Sequence, residues 1–311
     1  MKILFTGASS FTGHWFVKKL AEQGHEVCAT FTRTSADEYG DDVRGQRVTR
    51  LRDKCRPIFA CRFGDDEFIN LLNKESFDLL CHHAADVTNY RSPDFDVASA
   101  VANNTFQADR VLELLKGQGG ALLVTGSFFE PGEGTGSDGV PAFSPYGVSK
   151  RQTADALDQA CREASVPMAK FVIPNPFGPW EDPRFISYLA RTWSAGQVAT
   201  VRTPAYLRDN IPVSLLAAAY VDFAEQLPQS REYRKLIPRG YVETQGEFTR
   251  RVAREVRSRT CWRCDVECAE QTAFDEPRER MNTDELDATK LGWSESAAWD
   301  ELAEYYQRIF A

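Results

Sequence analysis

The sequence has no apolar run close to the ~20 residues that a helix needs to cross a bilayer, so we expect no membrane association. It also has no excess of positive charge, because 45 acidic residues outnumber 37 lysines and arginines and give a net charge of −8. Broad nucleic-acid binding needs a basic surface that displaces counterions, so we expect no nucleic-acid partner. The first residues, KILFTG, show no secretory leader with a cleavage site, and we expect a cytoplasmic protein.

A metal-binding pattern is also missing. Eight cysteines are scattered without the spacing of a small disulfide-bonded domain, which favours reduced thiols. Cys261, Cys264 and Cys268 lie close enough to suggest zinc, but structural zinc needs four nitrogen or sulfur ligands. The four histidines are distant from these cysteines, at positions 14, 25, 82 and 83. We therefore predict no metal site, and we predict a strand over 260–268.

What the sequence does contain is an alternation of strand-like and helix-like segments along 311 residues. Helical spacing occurs between several of the strands, as at 98–116. Such alternation predicts an α/β fold with a doubly wound parallel sheet and helices on both faces. The apolar runs typical of buried parallel strands are KILFTG, HEVCATF, RPIFACRF, FDLLCHHAA, GALLVTGS and PMAKFVIPN.

The segment TGASSFTG, residues 6–13, lies between the first strand and an amphipathic helix. In that position backbone N–H groups and the positive end of the helix point at a pyrophosphate, which indicates a Rossmann-type dinucleotide site. Ser10 stands where a middle glycine is expected, and a serine is compatible with the turn unless φ is positive there. An ordinary tight turn is the alternative interpretation.

The end of the second strand bears on the choice of dinucleotide. A site for NAD usually has an acidic residue about 20 residues beyond the glycines, where it accepts from the ribose 2′-hydroxyl. No carboxylate occurs from Cys28 to Ser35, whereas Arg33 and neighbouring threonines offer groups that suit a 2′-phosphate. We predict NADP, with NAD as the alternative cofactor and a solvated Arg33 as the alternative role for that residue.

The segment SPYGVSK places Tyr146 and Lys150 four residues apart, on one face of a helix that Ser144 can cap. An ammonium beside a phenol lowers the pKa of the phenol from its ordinary value near ~10. Such a tyrosine can exchange a proton with a sugar hydroxyl or carbonyl while hydride moves at a nicotinamide. The pair alone is common by chance, and a surface tyrosine and lysine are the alternative.

These motifs occur together, and the chain resembles the extended short-chain dehydrogenase/reductase family that acts on nucleotide sugars. The resemblance covers nearly the whole chain through TGASSFTG, HHAAD, VTGSFFEPG, YGVSK, PNPFGP, RDNIPV and LGW, in that order. It implies a nucleoside-diphosphate sugar as substrate and a homodimer as the assembly. It also implies a Rossmann domain over 1–174, to which 206–228 returns, and a smaller substrate-binding part over 175–205 and 229–311.

The resemblance also implies roles for individual residues. Thr125, Tyr146 and Lys150 are the catalytic residues, with Tyr146 as proton donor, Lys150 as its electrostatic partner and ribose ligand, and Thr125 as donor to the reacting sugar oxygen. A helix cap is the alternative role for Asp65, and a buried structural amide is the alternative for Asn104. The predicted cofactor-binding residues are Gly7, Ser9, Ser10, Phe11, Thr12, Gly13, Arg33, Asp65, Ala84, Ala85 and Asn104, together with Tyr146 and Lys150. The predicted substrate-binding residues are Ser127, Asn175, Arg208 and Arg278.

The residues after Thr125 narrow the set of reactions that we expect. Family dehydratases carry an acid immediately after the catalytic threonine, whereas this chain has Gly126 and Ser127. Elimination then lacks its base, and the cysteine typical of the combined epimerase-reductases is absent as well. We predict an NADP-dependent reduction of a 4-keto sugar. The alternatives are an NAD-dependent 4-epimerase and a non-catalytic NADP-binding sensor or scaffold.

Overall fold

The computed structural model describes residues 1–137, 139–227 and 232–310. The strands are β1 (Lys2–Thr6), β2 (Glu26–Thr30), β3 (Arg56–Ile58), β4 (Leu79–His82), β5 (Ala121–Ser127), β6 (Thr135–Gly136), β7 (Met168–Ile173), β8 (Asn175–Phe177), β9 (Ala199–Val201), β10 (Leu207–Pro212), β11 (Arg234–Leu236), β12 (Tyr241–Thr244), β13 (Val266–Cys268) and β14 (Glu279–Met281). The helices are α1 (Phe11–Glu22), α2 (Val43–Arg50), α3 (Asp66–Lys74), α4 (Val97–Asn104), α5 (Ala108–Gly117), α6 (Pro145–Ala164), α7 (Phe185–Ser194), α8 (Val213–Glu225), α9 (Gln245–Arg257) and α10 (Glu295–Ile309), with a 3-10 helix at Asp37–Tyr39.

Seven strands form the main sheet, in the order β11-β7-β5-β4-β1-β2-β3. Every neighbouring pair in it is parallel. The strand order reverses between β1 and β4, and ligands of such sheets bind in the crevice outside the carboxyl ends at that point. The predicted doubly wound parallel sheet is confirmed.

The main sheet is buried on both faces, which follows from the alternation of side chains along its strands. In β1, Ile3 and Phe5 join a core cluster that includes apolar residues of α1 and α8, whereas Leu4 joins a second cluster with residues of α3, α5 and α6. Helices therefore cover both faces, as the alternating sequence pattern requires.

The smaller part is built from a mixed sheet with the order β12-β10-β14-β6, in which β8 also pairs with β10. A third apolar cluster from α7, α9 and α10 packs there. Arg47 on α2 joins this part to the main-sheet domain, and the residue is 1% exposed. Its guanidinium donates to the carbonyls of Ser9 at 3.0 Å and Trp180 at 2.8 Å, and it pairs with Asp182 at 3.0 Å.

Two element predictions are wrong in detail. The helix expected over 98–116 is two helices, because Gln107 adopts a φ of +51° between α4 and α5. The strand expected over 260–268 is reduced to β13, because Cys264 has a φ of +52° and interrupts the extended backbone.

The segment 206–228 is divided between the two parts of the molecule. β10 belongs to the mixed sheet, whereas α8 packs on α1 of the main domain. β11 lies in the segment assigned from sequence to the substrate part, yet it pairs with β7 at the edge of the main sheet. The predicted boundary between 228 and 229 lies outside the described residues.

The helices in the described ranges are all too short or too polar to cross a membrane. Within those same ranges, histidine, cysteine, aspartate and glutamate side chains form no group of three or more that could hold a metal ion. Cys264 is buried, while Cys261 and Cys268 are exposed.

Candidate active site

The turn after β1 meets the end of β4 at the reversal point of the main sheet. Gly7 has a φ of +81°, and a Cβ there would lie 2.8 Å from the backbone nitrogen of Ala84. A Cβ on Gly13 would lie 2.3 Å from the carbonyl oxygen of Gly7. Both glycines are therefore required by close backbone approach, and together they leave an open turn in front of α1.

Ser10 replaces the expected middle glycine without backbone strain, because its φ is −73°. Its hydroxyl donates to the carbonyl of Gly7 at 2.9 Å and accepts from the amide of Gly13 at 3.1 Å, so Ser10 caps α1. Among the described contacts, the amides of Phe11 and Thr12 have no backbone acceptor. These free N–H groups at a helix N-terminus suit a diphosphate, so the turn fits a dinucleotide.

Arg33 lies in the segment between β2 and α2, and Arg44 lies in the first turn of α2. Both guanidinium groups lie over the ring of buried Tyr39. Their Cζ atoms are 4.7 and 5.3 Å from the ring centroid. Arg44 also donates to the hydroxyl of Ser9 in the glycine turn at 3.0 Å. Arg44 therefore lies against the glycine turn, and Arg33 shares the Tyr39 ring with it. Sequence reasoning missed Arg44, since no spacing rule connects it with Arg33.

A carboxylate also lies near the end of β2, supplied by Glu38 of the 3-10 helix. It accepts from the amide and the hydroxyl of Thr34, and Arg33 donates to the backbone carbonyl of Glu38. The Thr34 bonds lower the pKa of Glu38, so this group stays ionised. Glu38 lies eight residues after the end of β2, beyond the segment from Cys28 to Ser35 in which a carboxylate is expected for NAD.

Thr125 near the end of β5 and Lys150 on α6 are in direct contact. The ammonium of Lys150 donates to the backbone carbonyl of Thr125 at 2.6 Å, and both side chains are buried. Ser144 caps α6 and Pro145 begins it, so Tyr146 and Lys150 occupy the first two turns. The structure thus brings Thr125 and Lys150 into contact, and Tyr146 lies half-buried one turn before Lys150 on the same helix.

The expectation that Lys150 lowers the pKa of Tyr146 is wrong for this structure. Burial raises the pKa of Tyr146 well above its ordinary value, and the charge of Glu130 and the nearby phenol of Tyr90 act in the same direction. The reason is that the ammonium is directed at the Thr125 carbonyl. Burial lowers the pKa of Lys150 itself to about 8.

Two aromatic side chains from the segment between β4 and α4 enclose Tyr146, and sequence reasoning missed both. The rings of Tyr90 and Phe95 meet the Tyr146 ring edge-on, with centroids 5.5 and 6.0 Å away. Arg184 of the smaller part approaches the Tyr90 hydroxyl at 3.5 Å. Both halves of the molecule therefore border the phenol.

The end of β4 is braced by hydrogen bonds to buried side chains. Asn104 accepts from the amide of Asp86 at 2.7 Å and donates to the hydroxyl of Thr153 at 3.2 Å. His82 contacts the Thr6 hydroxyl at 3.1 Å and the Asn104 carbonyl at 3.0 Å. Asn104 therefore uses its amide to hold the chain next to the cofactor crevice, as the alternative interpretation expected.

Two other predicted cofactor contacts have clear structural positions. Asp65 caps α3 by accepting from the amides of Phe68 and Arg62, each at 2.8 Å. Ala84 and Ala85 follow β4 directly, and Ala84 donates from its amide to the Thr6 hydroxyl at 3.0 Å. The alanines line the reversal point, whereas the Asp65 carboxylate is engaged in capping.

The position after Thr125 is filled by a buried ion pair. A Cβ at Gly126 would lie 2.5 Å from Lys170 Cε and 3.0 Å from a carboxylate oxygen of Glu130. Lys170 donates to Glu130 at 2.5 Å and to Glu133 at 2.8 Å, and these three side chains are almost fully buried. Glu130 also accepts from the amide of Ser127 at 2.7 Å. The pair therefore occupies the space into which a side chain at 126 would extend.

The predicted substrate residues lie at the carboxyl ends of strands and in the mixed sheet. Ser127 ends β5 and Asn175 begins β8, and both are half-buried. Arg208 on β10 is buried, stacks on Tyr206 and pairs with Glu276 at 3.0 Å, so its cation is already compensated.

Arg278 is exposed and lies over the ring of Phe274, 4.3 Å from its centroid. The buried arginine of this segment is Arg280, which sequence reasoning missed. It lies opposite Arg208 on β14, and both guanidiniums lie over the ring of Phe143. Arg278 lies just before β14 and Arg280 lies within it, which accounts for their different burial.

The model of the NAD dependent epimerase/dehydratase family matches residues 3–234. No curated protein sequence matches the chain. Among solved structures, the UDP-glucose 4-epimerase of Thermotoga maritima with UDP-glucose is 19% identical, with a TM-score of 0.74 over 100% of both chains. The UDP-glucuronic acid 4-epimerase of Bacillus cereus, with UDP-glucuronic acid and NAD, is 18% identical, with a TM-score of 0.70 over 99% of this chain and 100% of that one. The dTDP-glucose 4,6-dehydratase of Bacillus anthracis with NAD is 16% identical, with a TM-score of 0.69 over 99% and 97%. These likenesses show the shared fold.

Proposed function

The chain belongs to the NAD dependent epimerase/dehydratase family, whose members act as enzymes on nucleotide sugars, and we propose that it is an NADP-dependent oxidoreductase that reduces a 4-keto group of a nucleoside-diphosphate sugar. The observation that carries this proposal is the position after Thr125, where the chain has Gly126 in place of an acid and where a Cβ would lie 2.5 Å from Lys170 Cε and 3.0 Å from a carboxylate oxygen of Glu130. Without an acid there, a dehydration lacks its proton-transfer group. Simple hydride transfer is then the reaction that Thr125, Tyr146 and Lys150 can serve.

The protonation states of the site suit reduction. Burial keeps Tyr146 in its phenol form, because its pKa is raised, so the residue can donate a proton to a carbonyl oxygen of the sugar. The Lys150 ammonium, bonded to the Thr125 carbonyl, ties the helix that carries Tyr146 to the end of β5. Thr125 presents its hydroxyl to the sugar from the end of β5. When bound at the glycine turn, the nicotinamide cofactor supplies the hydride.

The preference for NADP is supported by Arg33 and Arg44. Both are exposed, both lie over Tyr39, and Arg44 reaches the hydroxyl of Ser9 in the glycine turn. A 2′-phosphate at this end of the turn would pair with two guanidiniums, a geometry that arginine favours. The Glu38 carboxylate is already occupied by the amide and hydroxyl of Thr34.

One observation favours a second candidate, an NAD-dependent 4-epimerase. The Glu38 carboxylate is ionised and lies next to the end of β2, so a rearranged 3-10 helix could offer it to a ribose 2′-hydroxyl. Two of the similar solved structures are 4-epimerases, one with NAD bound. The same three catalytic side chains would serve both reactions.

Two measurements separate these candidates. The purified protein is denatured and any released dinucleotide is identified, and NADPH and NADH consumption is followed with a panel of nucleoside-diphosphate 4-keto sugars. We expect no retained NAD and faster turnover with NADPH. Tightly retained NAD, with interconversion of 4-epimers and no net NADPH consumption, would support the epimerase instead.

A matched pair of variants then tests whether the protein is a catalyst. Tyr146→Phe removes the proton donor, and we expect it to abolish NADPH-dependent turnover with NADPH binding retained. Tyr233→Phe removes a phenol outside the site and serves as the control, with turnover expected to be unchanged. Unaltered turnover in Tyr146→Phe would refute the proposed mechanism.

A further inference from the structure

His83, the residue directly after β4, contacts a hydroxyl group through each of its ring nitrogens. Nε2 lies 3.0 Å from Ser10 Oγ and 3.1 Å from Thr12 Oγ1 in the glycine turn. Nδ1 lies 3.0 Å from Thr125 Oγ1. The ring packs edge-on against Phe16, with centroids 5.3 Å apart, which holds its orientation. A single imidazole therefore connects the phosphate-binding turn with the proposed sugar ligand Thr125.

The contacts of Ser10 fix which nitrogen carries the hydrogen. A hydroxyl has one hydrogen and two lone pairs. The Ser10 oxygen lies 2.9 Å from the carbonyl of Gly7, which can only accept, so the hydroxyl hydrogen lies on that line. The amide of Gly13 donates to one lone pair at 3.1 Å. His83 Nε2 therefore meets the remaining lone pair, and a hydrogen bond across this contact needs the hydrogen on Nε2, with Thr12 Oγ1 at 3.1 Å as a second acceptor.

The other nitrogen must then accept. Burial and the positive charge of Lys150 lower the pKa of His83 to about 3, so the ring is neutral near pH 7 and carries one hydrogen. With that hydrogen on Nε2, Nδ1 is an acceptor. The 3.0 Å contact with Thr125 is then a donation from the Thr125 hydroxyl to Nδ1. The lone pairs of Thr125 then remain as acceptors, one of them beside the buried hydroxyl of Tyr220 and the other available to the substrate.

We propose that Ser10 fixes the tautomer of His83, and that His83 in turn fixes the Thr125 hydroxyl as a hydrogen-bond acceptor toward the substrate. His83 is thus a positioning residue, and its effect reverses the donor role that the family resemblance implies for Thr125. The serine that replaces the middle glycine supplies the hydroxyl on which this arrangement depends.

The consequence for the sugar rests on the proposed function. An acceptor at Thr125 holds a hydroxyl of the sugar and disfavours a carbonyl oxygen at the same place, because two sets of lone pairs would then meet. The carbonyl is therefore left to the phenol of Tyr146, which is the donor. The series of hydrogen bonds from Ser10 through His83 to Thr125 orients the sugar for reduction.

The test is the tautomer of His83 in the free protein. The chain has four histidines, so protein labelled with ¹⁵N only in histidine gives few ring signals, and loss of one set in His83→Phe assigns that residue. Phenylalanine retains the aromatic packing against Phe16. We expect a protonated Nε2 and an unprotonated Nδ1 at neutral pH, without dinucleotide or sugar. A protonated Nδ1 would overturn the proposal.

Two variants test the part played by Ser10. Ser10→Ala removes its hydroxyl, and we expect a mixture of both tautomers because Thr12 can then donate to Nε2. Thr12→Val removes the other hydroxyl near Nε2, and we expect the tautomer to stay as in the unmodified protein. The reverse pattern contradicts the proposal.

Loss of the helix cap in Ser10→Ala threatens folding, and in that case the unmodified protein and Thr12→Val decide the outcome. The readout needs no turnover, so failure of the proposed reduction leaves the tautomer result intact. A protonated Nδ1 would overturn only this inference, because the proposed reduction is judged by the separate NADPH assay.

Discussion

The ammonium of Lys150 donates to the backbone carbonyl of Thr125 across 2.6 Å, with both side chains buried. This bond ties α6 to the end of β5 and directs the cation at the main chain. Because the ammonium is buried, the pKa of Lys150 is lowered to about 8, while burial raises the pKa of Tyr146. Of these two residues, Lys150 is therefore the one that changes its charge near neutral pH.

We expect kcat/KM for NADPH-dependent reduction to fall as the pH rises above about 8, because Lys150 then loses its charge. The raised pKa of Tyr146 places loss of the phenol proton at much higher pH. A pH profile of kcat/KM measures this limb. Lys150→Arg keeps the charge and should move the limb to higher pH even at lower activity. A limb that stays in place in this variant would assign the titration to another group.

Gly126→Asp tests the filled space next to Thr125. The new side chain meets Lys170 and adds a charge beside Glu130, so we expect the free energy of unfolding to drop by about 3 kcal/mol or more. Gly117→Ala is the control, since nothing lies within 4 Å of its Cβ and α5 should gain about 0.5–1 kcal/mol. Urea unfolding compares the two. A stable Gly126→Asp protein with dehydratase activity would refute our reading of this position.

Arg44→Met tests the proposed contact between Arg44 and the 2′-phosphate of NADP. Loss of a charge-assisted contact should weaken NADPH binding about tenfold, which corresponds to about 1.4 kcal/mol, and NADH binding by less than about twofold. Arg52→Met is the matched control, because Arg52 is exposed and pairs only with Asp37, at 3.6 Å. Fluorescence titration gives both affinities. Equal losses for the two dinucleotides would show that Arg44 does not read the 2′-phosphate.

Lys170→Met tests the buried ion pairs beneath Gly126. It leaves the buried carboxylate of Glu130 without its cation and that of Glu133 with only the more exposed Lys235, at 3.0 Å, and we expect a loss of about 3–5 kcal/mol in the free energy of unfolding at neutral pH. The ion pairs lower the pKa of Glu133 below its ordinary 4.5, so their contribution is present above that value and declines as the pH falls below it.

The difference between the unmodified protein and Lys170→Met should therefore shrink in acid. Adding Glu130→Gln and Glu133→Gln to Lys170→Met should recover part of the loss, because the unpaired charges are removed. Chemical unfolding at several pH values checks both statements. A loss that does not change with pH would point to packing rather than to charge.

Much of the fold could be predicted from the sequence. Six apolar segments identify six of the seven main strands, but not β11, whose three residues are partly exposed and carry no pattern. The helix over 98–116 was wrong because one positive φ, at Gln107, is invisible to periodicity. Helical spacing reports which residues would share a face, and it does not report where the chain turns.

The candidate site shows the same division. TGASSFTG and SPYGVSK are local, so their spacing predicts the open turn at α1 and the helix that carries Tyr146 and Lys150. Arg44, Tyr90 and Arg280 reach the site only through long-range contacts, and no neighbour in sequence identifies them. Arg278 precedes β14 and is exposed, whereas Arg280 within the strand is buried, and the sequence alone did not show where this strand begins.

The sequence by itself determined the parallel sheet, the glycine turn and the order of the catalytic motifs, because strand and helix periods and turn residues act over a few neighbouring positions. The tertiary structure decided what fills the space beside Gly126, where Lys150 points and which hydroxyls reach His83. The parallel pairing of β5 with β7 sets Val124 opposite Lys170 and so brings the lysine next to Gly126. These contacts join residues that lie tens of positions apart, and only the register of the folded sheet brings them together.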